Sequence, residues 1–254
     1  MLTDAQRSEF DRTGIVKLQG VFSADDAARM REVVWSELGD LYGMRADDPS
    51  TWNGDQYLSG LKRTKKHSAF DAILGPALEE ALDDVLGPGW ERPKHQGQVL
   101  VTMPDSAEWR VPHQQWHTDV AFEGHPRGVK HWAFFDKVEP GGGGTVQLAG
   151  SHRLLSRYLE GKSLAERELK TIRDGFLRSH PWLRMLTRDD GAPDRNERLM
   201  TETDLDGLPA RVVELTGEPG DVYLTDLWIM HARPRNASSR PRLMRSRVYS
   251  AGGE

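Results

Sequence analysis

The chain has 254 residues, a formal charge of -5, a pI near 6.0 and no cysteine. The acidic balance argues against nucleic acid as a partner, and the missing cysteine excludes disulfides, thiolate metal sites and cysteine nucleophiles, so any metal must be held by nitrogen and oxygen. No apolar run approaches the roughly 18 residues that span a bilayer, and the opening MLTDAQRSEF lacks the apolar core of a signal peptide, so the expectation is a cytoplasmic protein with no membrane partner.

Thr3 with Gln6, and Ser23 with Asp26, have the spacing of capping pairs and predict two N-terminal helices. Ile15 to Leu18 alternates between them as a short strand, and Ala27, Met30, Val34, Leu38 and Leu41 give the second helix one apolar face. The basic run Leu61 to His67 reads as a solvated loop, or else as a receiver for an acidic substrate. A third helix carries Leu78, Leu82, Val85 and Leu86 until Gly87 to Gly89 stops it.

From Gln98 the pattern changes to short β-prone runs: QVLVTM, VKHWAFFDKV, TVQLAG, RVVELT, DVYLTDLWIMH and RLMRSRVYS, some parted by the turns GGGG and EPGD. Strands of this length and spacing predict a sandwich or barrel. A polar stretch interrupts them, in which Ser163 and Glu166 open a helix with Ala165, Leu169, Ile172 and Phe176 on one side. One domain is therefore expected, mainly β with flanking helices. Residues 1–95 are its mostly helical part, 96–152 and 210–254 its β core, and 153–209 a lid insertion over the mouth of the core.

The chemistry centres on HTD, which sets His117 and Asp119 two residues apart at the edge of a β-prone run, on one face and able to reach one ion. His231, at the end of the apolar run LTDLWIM, supplies a third ligand. Two imidazoles and one carboxylate on one side of an octahedral ion form the facial triad of non-haem iron oxygenases, although a catalytic zinc site uses the same ligand types. Just beyond, NASSRPR offers Arg240 and Arg242, either of which can bind the distal carboxylate of 2-oxoglutarate through a guanidinium fork. The crowd of Arg233, Arg235, Arg245 and Arg247 around them reads as solvated or substrate-facing.

With these residues in place, nearly the whole chain resembles the phytanoyl-CoA dioxygenase family of iron(II) and 2-oxoglutarate-dependent oxygenases. The opening helix, strand and helix, the HTD motif, the segment EPGGGGTVQLAGSHR with Gly150, Ser151 and His152, and the turn at Gly220 and Asp221 match the family in order. So do His231, Asn236 and an arginine eleven residues past that histidine, which selects Arg242 over Arg240. The resemblance implies a double-stranded β-helix of the jelly-roll, cupin-like kind. It makes His117, Asp119 and His231 the iron(II) ligands, Arg242 the 2-oxoglutarate anchor, and Trp132 an aromatic wall for that co-substrate. His152 is then either a neighbour of the iron or a tie between strand and helix. The sequence departs from the family at Arg233, where a small hydroxyl residue is usual.

The reaction the resemblance implies consumes O2, converts 2-oxoglutarate to succinate and hydroxylates a C–H of a small-molecule substrate. Related halogenases lack the carboxylate that Asp119 supplies, so its presence favours hydroxylation, with desaturation, ring formation and epoxidation open to the same ligands. Three other readings remain at this stage: a cupin-like isomerase or lyase, a 2-oxoglutarate-binding module without catalysis and, disfavoured by the acidic balance and the lack of a basic stripe, a nucleic-acid demethylase on the same fold.

Overall fold

Residues 1–52, 58, 60–92, 97–105, 107–122 and 127–252 are described by the structure, a computed structural model. The chain opens with α1 (Asp4–Thr13), β1 (Ile15–Leu18) and α2 (Ala24–Tyr42), then α3 (Lys62–Lys66) and α4 (Pro76–Leu86). Thr3 and Gln6 close the expected capping box, and the Ser23 hydroxyl accepts from the Asp26 amide. The strands β2 (Gln98–Thr102), β3 (Gly128–Phe134) and β4 (Val146–Ala149) follow. After them come α5 (Ser151–Leu159), α6 (Leu169–Ser179), α7 (Pro181–Arg184), α8 (Arg195–Met200) and β5 (Thr203–Leu205). The chain returns to the core with β6 (Leu208–Glu214), β7 (Val222–Asp226), β8 (His231–Ala232) and β9 (Arg242–Ser250).

The strands form two antiparallel sheets, ordered β1-β7-β3-β9-β2 and β5-β6-β4-β8, and together they make the jelly-roll core of a double-stranded β-helix. Alternation along each strand assigns its faces. In β9, Leu243 and Tyr249 join an apolar cluster with Met30, Val34 and Leu38 of α2 and Leu78 and Leu82 of α4, so the N-terminal helices cover the back of the larger sheet. Met244 points the other way and meets Trp132, Phe134, Tyr223 and Ile229 between the sheets. In β4, Val146 and Leu148 pack with Leu155, Ile172 and Phe176, so the insertion covers the back of the smaller sheet. That is where most of its buried apolar side chains lie.

Four local expectations need revision. The run DVYLTDLWIMH is two strands in different sheets: the Asp226 carboxylate accepts from the Trp228 amide at 2.7 Å and its carbonyl from the Ile229 amide at 3.1 Å, and this turn carries the chain from β7 across to β8. Leu41 is 51% exposed, and Leu38, Tyr42 and Met44 make the contact with the core at that end of α2 instead. The Ser163–Glu166 capping box opens only a short 3₁₀ turn with Ala165 exposed, and α6 starts afresh where Glu168 accepts from the amides of Lys170 and Thr171. The basic run Leu61 to His67 is no loop but contains α3, whose first amides donate to the buried Glu37 carboxylate.

Candidate functional site

His117 and His231 stand opposite each other and exchange two backbone hydrogen bonds, His117 N–H to the His231 carbonyl at 3.1 Å and the reverse at 2.9 Å. HTD thus sits on an isolated bridge rather than at a strand edge, and the chain enters it through Gln115, whose φ is 62°. Each imidazole is held by the carbonyl two residues before it, His117 Nδ1 by Gln115 at 2.7 Å and His231 Nδ1 by Ile229 at 3.0 Å. A proton on each Nδ1 leaves both Nε2 lone pairs facing the Asp119 carboxylate, the tautomer a metal requires. The Nε2 atoms lie 3.8 Å (His117) and 3.4 Å (His231) from the Asp119 oxygens, and one donor atom from each residue falls within a 4.8 Å set.

The charges suit a cation. Burial pushes the Asp119 carboxyl up, but His231 and Lys130 outweigh it and hold the group well below the usual carboxylate range. Burial lowers the His231 imidazole, which keeps it neutral and able to ligate. Lys130, on the inner face of β3, hydrogen-bonds Asp119 and lies 4.1 Å from the Trp132 ring centroid. Sequence reasoning missed this lysine, though a charged residue inside VKHWAFF signals a buried partner. The Trp132 indole donates to Thr225 Oγ1 at 2.9 Å and its ring meets His231 edge-on at 5.2 Å.

Arg242 lies at the other end of the same interior and is 2% exposed. Among the described residues its hydrogen-bond partners carry no charge: Thr102 Oγ1 at 2.5 Å, Thr145 Oγ1 at 3.2 Å and, weakly, Met244 Sδ. Its Nε has no partner. Burial first, and then the neighbouring Arg233, lower this guanidinium to about 9, with only Glu214 acting against them. A buried cation held by two threonines is incomplete and fits a carboxylate ligand. Arg240 is exposed and enters the loop through its backbone, its carbonyl accepting from Asn236 and Ser238 and its amide donating to Ser238 Oγ. Arg245, expected to be solvated or substrate-facing, is instead 3% exposed behind the larger sheet, packed on Phe70. Asn236 is buried and donates to the carbonyls of Thr102 and Arg240, which fixes the loop leading into β9.

Other family-matched residues lie around the candidate ligands. Ser151 Oγ accepts from the Met230 amide at 2.9 Å, directly before His231. Gly150 has φ 83°, and a Cβ there would stand 2.1 Å from the Pro209 carbonyl. His152 lies by α1, with Nε2 3.4 Å from the Asp11 carbonyl, and is not part of the ligand cluster. Arg195 in α8, unnoticed in the sequence, is 2% exposed and donates to the carbonyls of Val111 at 2.6 Å and Met185 at 2.8 Å. Its neighbour Asn196 accepts from the Val111 amide and donates to the Trp109 carbonyl. The insertion thereby grips the segment that runs into His117.

A cavity of about 380 Å³ opens beside this site, lined by Thr102, Gln115 and Arg233 and rimmed by Glu108, Arg110 and Asp189. A jelly-roll interior with a candidate His-Asp-His metal cluster and an unneutralised arginine behind it is the build of a non-haem iron(II) and 2-oxoglutarate-dependent dioxygenase. Residues 10–244 match the model of the family described as phytanoyl-CoA dioxygenase (PhyH), and the chain belongs to that family. It is similar to the ectoine dioxygenase of Sphingopyxis alaskensis, 27% identical over 97% of this chain and 75% of that protein. Two solved structures share the fold. HygX from Streptomyces hygroscopicus, with nickel and 2-oxoglutarate bound, has a TM-score of 0.53 at 19% identity over 98% of this chain and 87% of its own. AviO1 from Streptomyces viridochromogenes has a TM-score of 0.58 at 17% identity over 100% and 99%.

Proposed function

We propose that this dioxygenase hydroxylates an unactivated C–H of a polar small molecule, with His117, Asp119 and His231 holding iron(II), Arg242 anchoring 2-oxoglutarate and Trp132 walling the co-substrate site. The observation that carries the reading is the pairing, in one interior, of three converging donor atoms suited to a metal ion with a buried guanidinium whose hydrogen-bond partners among the described residues are uncharged. A 2-oxoacid dicarboxylate completes both at once. When bound, iron(II) and 2-oxoglutarate would activate O2, with one oxygen atom going to the substrate C–H and the other to the new carboxylate of succinate as the co-substrate loses CO2.

The chain's own residues bind, orient and exclude water. The two Nδ1 contacts fix the ligand tautomers, and Lys130 fixes the rotation of Asp119. Arg242 sets the direction in which the co-substrate lies, while Trp132, Ile229 and Met244 keep the interior apolar. The mouth carries opposed charges, Arg110 near Glu108 and Asp189, and Arg235 near Asp105, which suits a hydrogen-bonding substrate better than a bare acyl chain.

The test is iron and co-substrate binding followed separately. His117→Ala and His231→Ala are expected to lose most bound iron(II) with the fold retained, and full occupancy in either would refute the ligand set. Arg242→Gln should leave iron binding intact and raise the 2-oxoglutarate requirement about tenfold to a hundredfold, the worth of one or two charge-assisted hydrogen bonds. Arg240→Gln should do neither, and a reversal between the two arginines would move the anchor. Succinate formation across a panel of polar small molecules, with the hydroxylated product identified by mass, tests the reaction itself.

A further inference from the structure

Gln147 is the middle residue between two that point at the insertion. Val146 and Leu148 pack behind the smaller sheet, so the Gln147 side chain faces the interior, where it is 0% exposed. Among the described residues, neither its Nε2 nor its Oε1 has a hydrogen-bond partner. A carboxamide with both polar atoms buried and unsatisfied is costly to keep, and such a group calls for a partner, a bound ligand or an ordered water.

Register says where that ligand lies. Gln147 is opposite His231 in β8 and opposite Val213 in β6. Thr145, two residues earlier on the same face, touches the Arg242 guanidinium at 3.2 Å. The inner face of β4 therefore runs from the arginine to the metal-side histidine, one same-face step of roughly 7 Å. A five-carbon dicarboxylate reaching from Arg242 to the candidate ligands passes along that step. The apolar neighbours in this interior, Trp132, Met244 and Val213, offer the amide nothing.

We propose that the Gln147 carboxamide is a co-substrate contact, its N–H donating to the metal-side carboxylate of 2-oxoglutarate; this rests on the co-substrate reading above. Gln147 thus complements Arg242, one residue holding each end of the dicarboxylate, and discriminates against mono-acids that reach only one of them.

The experiment is calorimetric titration of 2-oxoglutarate into anaerobic, iron(II)-loaded protein, with thermal melting of the same proteins free of metal and co-substrate. Gln147→Met keeps length and removes both polar atoms. It should bind 2-oxoglutarate at least about tenfold more weakly, with unchanged iron affinity and an unchanged or higher Tm. Gln147→Glu, which sets a negative charge against the carboxylate, should bind more weakly still. Equal 2-oxoglutarate affinity in wild type and Gln147→Met overturns the proposal, as does a lowered Tm with co-substrate binding intact, the mark of a purely structural glutamine. Absence of 2-oxoglutarate binding in wild type itself would instead bring down the co-substrate reading, and this proposal with it.

Discussion

The two sheets are covered on their outer faces by different parts of the chain, and the covers differ in what they touch. Behind the larger sheet, α2 and α4 add apolar side chains to a cluster that holds none of the candidate ligands. Behind the smaller sheet, the insertion does the same with Leu155, Ile172 and Phe176, but its last helix also reaches forward through Arg195 and Asn196 to the segment from Trp109 to Pro112. One cover stabilises the scaffold. The other stabilises the scaffold and also sets where His117 stands. A segment without a single candidate ligand can therefore govern metal affinity, which position in the sequence does not disclose.

The sharpest break in that comparison is Arg195→Ala. It strands two or three buried carbonyls and should cost about 3 kcal/mol of stability, as the loss of charge-assisted hydrogen bonds does. It should also weaken iron(II) binding measurably, because the strap ends five residues before His117. Chemical denaturation and metal titration on the same sample check both effects, and lost stability with unaltered iron affinity would make the two covers equivalent.

A smaller effect belongs to the other cover. His131 lies behind the larger sheet, beside Tyr249, and burial, Arg245, Arg247 and Lys130 all push it well below its ordinary 6.5. The native state keeps this imidazole neutral while the unfolded chain takes up a proton below pH 6.5, so the unfolded state binds more protons and stability falls as pH falls. The slope should approach about 1.4 kcal/mol per pH unit for this residue. The buried His231 of metal-free protein, also lowered, adds a second contribution of the same sign. Melting curves between pH 7.5 and 5.0 should show His131→Gln removing one of the two, and an unchanged acid sensitivity would refute the assignment. Least of all, Leu41→Lys should change stability by under about 0.5 kcal/mol, because the Leu41 side chain is 51% exposed while its neighbours Leu38 and Met44 fill the core. A larger loss would mean that the solvent end of α2 is covered.

Much of this was legible in the sequence because it is local. Thr3 with Gln6 and Ser23 with Asp26 need only a short spacing to cap a helix, and HTD with His231 and Arg242 keeps an order that reads along the chain. What escaped depends on contacts across the chain. Lys130 reads as an oddity until Asp119 comes to meet it, and Arg195 as an ordinary helical arginine until the Val111 carbonyl lies over it. The break between β7 and β8 hinges on Asp226, whose carboxylate turns one apolar run into two strands of opposite sheets. The capping box at Ser163 is correct chemistry in a place where Glu168 offers the longer helix a better start.

The backbone bridge between His117 and His231 has a consequence for how metal comes and goes. Each of the two residues is tied to the other by a reciprocal pair of amide–carbonyl bonds, and each ring is tied to the carbonyl two places behind it. The pincer is thus held by hydrogen bonds of the polypeptide itself, which leave the two rings little freedom to lose on capture of an ion. Iron(II) held by this pair, as proposed, would enter a seat already shaped by the backbone, so loading and stripping are expected to proceed on the folded protein, at rates set by access through the mouth.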